Sequence, residues 1–311
     1  MVEGRRARRK FGALIIGVLM VAVAAPSILA SLGSDGKPPE GRTPFSHELV
    51  TAAQIPVPGG LVDIAVGAGG VWITGFGTVT RVNPSTNRVA AEIAVPGTGD
   101  YSYVAVGYGG VWVTASEGRP GALVRIDPRT NRIEATIEIG GPVSDVELFN
   151  GFVWVTRPES GPPTLFSVDP RTNRVAGKHD PSNFPTSPVP GSIRGFGSAW
   201  LAYDDVVLRM DPDSAEIQAR IAVPLAADLA IGRDAVWVMT TSPSISPDLY
   251  IPIPGRPGAI LLIDPRTNRI ATSPVPFGVP PASMAVGEDS LWVGEYGAPA
   301  VLTRIDVEAS R

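Results

Sequence analysis

The sequence contains no cysteine, so it has no disulfide framework, no thiol nucleophile and no cysteine-based metal site. Histidine is nearly absent: His47 and His179 are the only two. Basic residues are scarce outside the N-terminus. Residues 1–46 take seven of the 26 Lys and Arg and three of the 30 Asp and Glu, which leaves 19 bases against 27 acids, a net −8, over residues 47–311. A segment this acidic is a poor partner for nucleic acid, whose phosphates need a basic surface. No Ser-His-Asp set, phosphate loop or zinc-spaced cluster is visible. Gly75-Phe76-Gly77 lacks the rest of a dinucleotide fingerprint and its βαβ context.

Glycine and proline, in contrast, are plentiful, at 35 and 32 of 311 residues. That level falls below the signature of disorder and implies many turns between many short strands. A hydrophobic fraction of 44% supplies a sizeable core.

The N-terminus stands apart. Residues 1–10 carry Arg5, Arg6, Arg8, Arg9 and Lys10, and read as a basic cytoplasmic region. The apolar run 11–32, at about 1.5 Å per residue, reaches roughly 33 Å as a helix, enough to cross a bilayer. Ala22-Val23-Ala24 and Ile28-Leu29-Ala30 also resemble signal peptidase sites. The segment is therefore either a transmembrane signal anchor or a cleaved signal peptide. Both readings place the rest of the chain outside the cytoplasm, held at the cell membrane by a single pass or secreted. Residues 33–46 read as a flexible polar linker.

Residues 47–311 are repetitive. All six tryptophans, Trp72, Trp112, Trp154, Trp200, Trp237 and Trp292, sit in one frame: an apolar stretch, a Gly-rich turn, then a Val-Trp-Val type run. VDIAVGAGGVWIT returns as YVAVGYGGVWVT, DVELFNGFVWVT, GSIRGFGSAWLA, DLAIGRDAVWVM and SMAVGEDSLWVG. A second signature follows each: RVNPSTNRV, RIDPRTNRI, SVDPRTNRV, RMDPDSAEI, LIDPRTNRI and RIDVEASR. In that turn Asp or Asn accepts backbone hydrogen bonds, Pro fixes φ, and Asn tolerates the left-handed region. Each repeat thus predicts four short antiparallel strands, and the repeat length fits a propeller blade. The sixth copy lacks a fourth strand, which Glu48–Val57 can supply from the other end. The expected fold is all-β: a six-bladed β-propeller over 47–311, closed by its N-terminal strand and preceded by one hydrophobic N-terminal helix.

Alternating hairpins put the Gly-rich and Asp-Pro-x-Thr-Asn turns on one face. The variable loops, among them Thr240–Gly258 and the connection Gly177–Gly191, fall on the other, the face expected to carry function. Nine residues before each tryptophan lie Asp63, Tyr103, Asp145, Gly191, Asp228 and Ser283. Asp63, Asp145 and Asp228 fall on alternate blades and would ring the channel mouth. With Glu147 below, they form a candidate oxygen-ligand site for calcium or magnesium, against the alternative of solvated acids in a water-filled channel with Arg194 neutralising one. Tyr103, Tyr203, Arg194, Glu147, Glu295 and Tyr296 are the candidate ligand contacts, with Tyr101, Tyr250 and Phe184 as further aromatics.

The Val-Trp-Val-Thr run followed by Arg-Ile-Asp-Pro-Arg-Thr-Asn-Arg resembles the YVTN-type propeller repeats and the repeat of the virginiamycin B lyase-like propellers, over residues 47–311. For the latter, the resemblance implies a carbon–oxygen lyase that opens a cyclic depsipeptide by elimination, using histidine, glutamate and magnesium in a seven-bladed ring. This chain shows six copies and two histidines, with His47 expected on the short-turn face and His179 in the Gly177–Gly191 loop. Glu147, Glu295 or His179 could serve as a base, but no matching pair stands out. The expectation is an extracytoplasmic, non-enzymatic module that binds a protein, peptide or glycan without a required cofactor. The alternative is a lyase- or hydrolase-like enzyme with a divalent cation at the channel mouth.

Overall fold

The computed structural model describes residues 47–309, except 118–119, 161–162, 180–191, 204, 213, 215, 233, 241–257, 273, 277–280, 288 and 296–298. The expected N-terminal helix and linker lie outside the described residues. Among the described residues no helix is long and apolar enough to cross a membrane, and every regular element is a strand.

The strands form six sheets. After β1 (His47–Val57), the first blade comprises β2 (Asp63–Gly67), β3 (Gly70–Thr74), β4 (Thr78–Asn83) and β5 (Arg88–Ala94). The second holds β6 (Val104–Gly107), β7 (Gly110–Ala115), β8 (Ala122–Asp127) and β9 (Arg132–Glu138). The third holds β10 (Val146–Phe149), β11 (Phe152–Arg157), β12 (Thr164–Asp169) and β13 (Arg174–His179). The fourth holds β14 (Ser192–Gly195), β15 (Ser198–Tyr203), β16 (Val206–Met210) and β17 (Ile217–Ala222). In the fifth, β18 (Ala226–Gly232), β19 (Ala235–Thr240) and β20 (Ala259–Asp264) are bordered by two short strands, β21 (Arg269–Ile270) and β22 (Val275–Pro276), both paired with β20. The sixth comprises β23 (Pro281–Gly287), β24 (Ser290–Glu295) and β25 (Ala300–Ala309), completed by β1. His47 pairs with Ala309 and Val57 with Ala300, so the N-terminal strand closes the ring and begins at the short-turn face.

Local chemistry explains the repeat. The first hairpin of several blades is a two-residue turn with positive φ at both positions: Ala68-Gly69, Tyr108-Gly109, Asn150-Gly151 and Phe196-Gly197. That geometry matches the right-handed twist of the flanking strands and requires Gly where the backbone turns hardest. In the last hairpin, Asn87, Asn131, Asn173 and Asn268 all adopt φ of 54 to 56°. The preceding Asn83, Asp127, Asp169 or Asp264 accepts the backbone N–H two residues on, at 2.8–2.9 Å. A bulge follows the turn in the first three blades, at Arg81/Val82, Arg125/Ile126 and Ser167/Val168.

The core lies between blades rather than on the axis. Trp72 packs among Val104, Val111 and Val113 of the second blade, Trp112 among Val146, Val153 and Val155 of the third, and Trp292 among Val71 and Ile73 of the first. Five tryptophans are fully buried, and all six donate Nε1–H to the carbonyl five residues earlier, at 3.0–3.2 Å. A buried indole needs such a partner.

A second device joins neighbouring blades. Arg81 lies over Trp72 and donates Nη1–H to the Pro128 carbonyl and to Asn131 Oδ1 in the turn of the next blade, at 2.7 and 3.0 Å. Arg125, Arg209 and Arg304 do the same to Pro170 and Asn173, Pro265 and Asn268, and Pro84 and Asn87. Two copies replace the arginine, and in each the next blade lacks the Asn. Leu262 packs against the sixth blade, where Asp-Val-Glu-Ala continues as strand β25 instead of turning, and the fourth blade, next after that of Ser167, has the turn Asp-Pro-Asp-Ser-Ala.

Ser167 corrects one sequence-based expectation. His179 is not in a loop: it ends the outer strand β13, with Nε2 2.8 Å from Ser167 Oγ and its ring 5.0 Å from that of Trp154. It fills the space over Trp154 that arginine occupies over tryptophan elsewhere. Gly177 makes this possible, because a Cβ there would fall 2.6 Å from His179 Nε2.

Candidate functional site

Each innermost strand starts at the loop face, and the residues at those starts meet around the channel. Buried threonines fix the geometry. Thr74 Oγ1 accepts from Asp63 N at 3.1 Å and donates to the Ser102 carbonyl at 2.7 Å, and Thr114 Oγ1 accepts from Tyr103 N at 2.8 Å. These threonines follow the tryptophan by two residues in the Val-Trp-Val-Thr run. That recurrence was the available signal for a role that sequence reasoning passed over.

The carboxylates stitch blade to blade. Asp63 accepts the Val104 N–H of the second blade at 2.9 Å and the Ser283 hydroxyl of the sixth at 2.9 Å. Asp228 accepts from Leu229 N of its own strand at 2.8 Å and from Met284 N of the sixth blade at 3.0 Å. Asp145 accepts from Val146 N at 2.8 Å. All three remain half-buried, in contact with solvent.

Burial raises the Asp63 carboxyl to about 6, against the opposing pull of the Val104 and Ser283 donors, with the Asp145 charge adding a smaller push upward. Burial and then the Asp63 charge lift Asp228 to about 7. The Tyr103 phenol is pushed up to about 12, first by burial and then by Asp145, Asp63 and Asp228 in turn. The structure therefore brings Asp63, Tyr103, Asp145 and Asp228 into one electrostatic cluster. Among the described residues, no three His, Asp or Glu side chains are grouped so as to hold one metal ion.

Glu147 lies two residues beyond Asp145 on β10. Its carboxyl is held well above the usual range by burial and by Asp145, opposed by Arg194, and its Oε1 is buried without a hydrogen-bond partner. Arg194 does not reach the mouth. Its guanidinium lies 3.9 Å from the centroid of Phe149, and Nη1 donates to the Pro212 carbonyl, so it extends toward the short-turn end. Glu295 is separate again, accepting from the Thr303 hydroxyl within the sixth blade. Tyr203 ends β15, and its side chain lies outside the described residues, as do Tyr296, Tyr250, Phe184 and Gly191. Near the mouth, the loops of the first two blades carry Phe76 and Tyr101, 56% and 66% exposed. A second concavity, lined by Tyr108, Phe152, Pro170 and Arg171, lies at the short turns of the second and third blades.

No protein family matches the chain, and no curated protein does. The fold is similar to a solved structure of hydrazine synthase from Kuenenia stuttgartiensis at 15% identity, over 81% of this chain and 78% of that one, with a TM-score of 0.48. The six-bladed propeller assignment rests on the strand pairing of this chain itself, a fold that suggests a binding or interaction module.

Proposed function

We propose that the chain is an extracytoplasmic binding module, presenting the loop face of its propeller to a protein, peptide or glycan ligand. The observation that carries this is the composition of that face. Asp63, Tyr103, Asp145 and Asp228 surround the channel mouth, and Phe76 and Tyr101 stand exposed in the neighbouring loops. Large exposed aromatics beside a polar depression are the usual anchors of recognition. The basic and apolar N-terminal sequence supports export, whether it stays as a membrane anchor or is cleaved. The resemblance to the YVTN-type and virginiamycin B lyase-like repeats adds nothing about activity, since fold does not carry function. Peptide and glycan arrays probed with the full chain test the reading. Binding should be lost in a Phe76→Ala/Tyr101→Ala variant and kept in Tyr108→Ala on the opposite face. The reverse pattern overturns it.

One observation favours the enzymatic alternative, a lyase- or hydrolase-like activity with calcium or magnesium at the mouth. A carboxyl near 7, as at Asp228, is suited to proton transfer at neutral pH. Titration with either cation should then raise the melting temperature, and an Asp63/Asp145/Asp228 triple alanine variant should abolish the rise.

A further inference from the structure

We propose that the short-turn face of the first three blades docks on a membrane surface rich in anionic lipid headgroups. The inference goes beyond the loop-face reading and shares with it only the membrane-directed N-terminal segment. Docked in this way, the propeller keeps its loop face turned outward and open to a ligand.

Charge sets the class of partner. In the second and third blades Arg129 pairs with Asp127 and Arg171 with Asp169, so the turn aspartates are already matched. Arg132 and Arg174 begin the outer strands that follow. Both are exposed and, among the described residues, enter no ion pair. Glu134, two residues beyond Arg132, is held by Arg125 at 3.1 Å. The first blade adds the exposed Arg88, and its turn carries Asn83 where the others have Asp. Consecutive blades of an acidic domain thus gather an excess of arginine at one end. The fourth and sixth blades carry Asp211, Glu216 and Asp289 there, which confines the basic surface to one side of the ring.

Exposed apolar groups collect at the same end. Among the described residues, every exposed large hydrophobic except Phe76, Tyr101 and Leu225 lies at the short-turn end. Ile133 and Val175 directly follow Arg132 and Arg174, and Tyr108 stands at the tip of the second blade's first hairpin. Beside Tyr108 lies the concavity lined by Phe152, Pro170 and Arg171. This mixture suits the lipid boundary, where guanidinium groups bond phosphate and a tyrosine sits at headgroup level. Free phosphate would use the arginines and leave the apolar border idle.

The course of the chain favours lipid over an acidic protein. β1 begins with His47 at the short-turn end of the sixth blade, next to the first. Residues 1–46, with their basic start and the apolar run 11–32, therefore join the propeller at the end that carries the arginines. The stretch 33–46 reaches at most about 50 Å even fully extended. A tether of that length holds the face at a high effective concentration of headgroups, so modest contacts suffice to dock it. Each arginine near an anionic surface is worth roughly fivefold.

The test uses the full chain reconstituted into vesicles of phosphatidylcholine alone, or of phosphatidylcholine and phosphatidylglycerol in equal parts. Because the chain has no cysteine, one introduced thiol takes a fluorophore alone. Thr172→Cys places it between Arg171 and Arg174, and Tyr101→Cys places it on the loop face. A nitroxide on the lipid headgroup quenches a label lying at the surface. The Thr172→Cys label should be quenched several-fold more strongly on the anionic vesicles, and should lose that excess in about 1 M salt, where the screening length falls to about 3 Å. The Tyr101→Cys label should stay unquenched on both. Arg129→Gln/Arg132→Gln/Arg171→Gln/Arg174→Gln should reduce quenching to the level seen on neutral vesicles. If that variant does not fold, Arg132→Gln/Arg174→Gln takes its place and should lower the ratio of docked to undocked chain roughly twenty-five-fold, fivefold for each arginine. Equal quenching on the two vesicles, quenching that survives high salt or these substitutions, or quenching of the loop-face label instead overturns the proposal. Flotation of the same vesicles reads the N-terminal segment separately. Chain that floats with neutral vesicles while its Thr172→Cys label is quenched on neither kind keeps the membrane segment and overturns the docking face. Chain that floats only with anionic vesicles, and only at low salt, supports the docking face without a membrane-spanning segment. Chain that floats with neither overturns both, and array binding lost in Phe76→Ala/Tyr101→Ala would still leave the loop-face reading standing.

Discussion

Arg304 Nη1 donates to Asn87 Oδ1 at 3.2 Å and to the Pro84 carbonyl at 2.8 Å, joining the last blade to the first. The same pair of blades is also joined through β1, which pairs with β25 and continues directly into the first blade. Ring closure thus has a backbone component and a side-chain component. The latter repeats at three other junctions, at Arg81, Arg125 and Arg209.

Removing the latch should destabilise the ring. Arg304→Ala deletes the two hydrogen bonds across the junction, the Nε–H contacts to Ser290 and Asp306 within its own blade, and the cation over Trp292, and is expected to cost about 2–3 kcal/mol. Lysine should not restore it, because the contact uses a planar guanidinium lying on a ring. Urea denaturation of Arg304→Ala, Asn87→Ala and the double variant provides the check. A coupling energy near zero would show that the two residues do not act together.

The blade count, the closing strand and the two kinds of turn are legible in the sequence because each repeats with its local cause intact: Gly at the second position of the first turn, Asn at the end of the last, and Asp or Asn where a backbone donor needs a partner. The convergence of Asp63, Asp145 and Asp228 is legible too, since a fixed offset from tryptophan recurs in every blade. The partners of these acids are not. Val104 N–H and Ser283 reach Asp63 from neighbouring blades, and only three-dimensional stagger decides that. The sequence alone puts His179 in a loop, and not at the end of β13, for a related reason. Nothing local in Gly-Lys-His announces the end of a strand, and its position follows from the missing arginine at Ser167, twelve residues earlier. The rows of Arg and of Asn are both visible in the sequence, but the link between one copy and the next copy's turn is not.

The third-to-fourth blade junction should therefore depend on His179. His179→Ala removes the partner of Ser167 Oγ and opens the space over Trp154, which at 8% is the least buried of the six tryptophans. The expected loss is about 1–2 kcal/mol. Iodide should then quench a minor fraction of tryptophan fluorescence that is shielded in the wild type. Unchanged quenching would mean that the imidazole does not shield Trp154.

Close approach of the innermost strands gives a third prediction. A Cβ on Gly107 would fall 2.5 Å from Leu148 Cδ1 of the next blade, and one on Gly195 2.6 Å from Ile231. Gly107→Ala should cost about 1–3 kcal/mol by overpacking. Adding Leu148→Ala should cost less in that background than in the wild type, since the second change relieves the crowding caused by the first. Chemical denaturation of the four proteins measures this coupling.

The channel acids make a pH-dependent contribution of definite sign. Asp63 and Asp228 have folded values of about 6 and about 7, above the ordinary value of 3.8. Between pH 4 and 7 the folded state therefore holds more protons than the unfolded chain, and stability falls as pH rises, by at most about 1.4 kcal/mol per pH unit for each group. The turn carboxyls Asp127 and Asp169 act oppositely. Accepted backbone N–H groups, from Arg129 and Arg171, hold them below the ordinary value, so their contribution is lost only as pH falls below about 4. The urea midpoint of the full chain should accordingly be higher at pH 4.5 than at pH 8, and Asp228→Asn should flatten the difference. Asn at this position gives up one of the two accepted N–H bonds, so the slope, rather than the absolute midpoint, is the quantity that reports the titration. A wild-type midpoint independent of pH across this window would mean that Asp63 and Asp228 ionise at ordinary values, leaving the mouth fully charged at neutral pH.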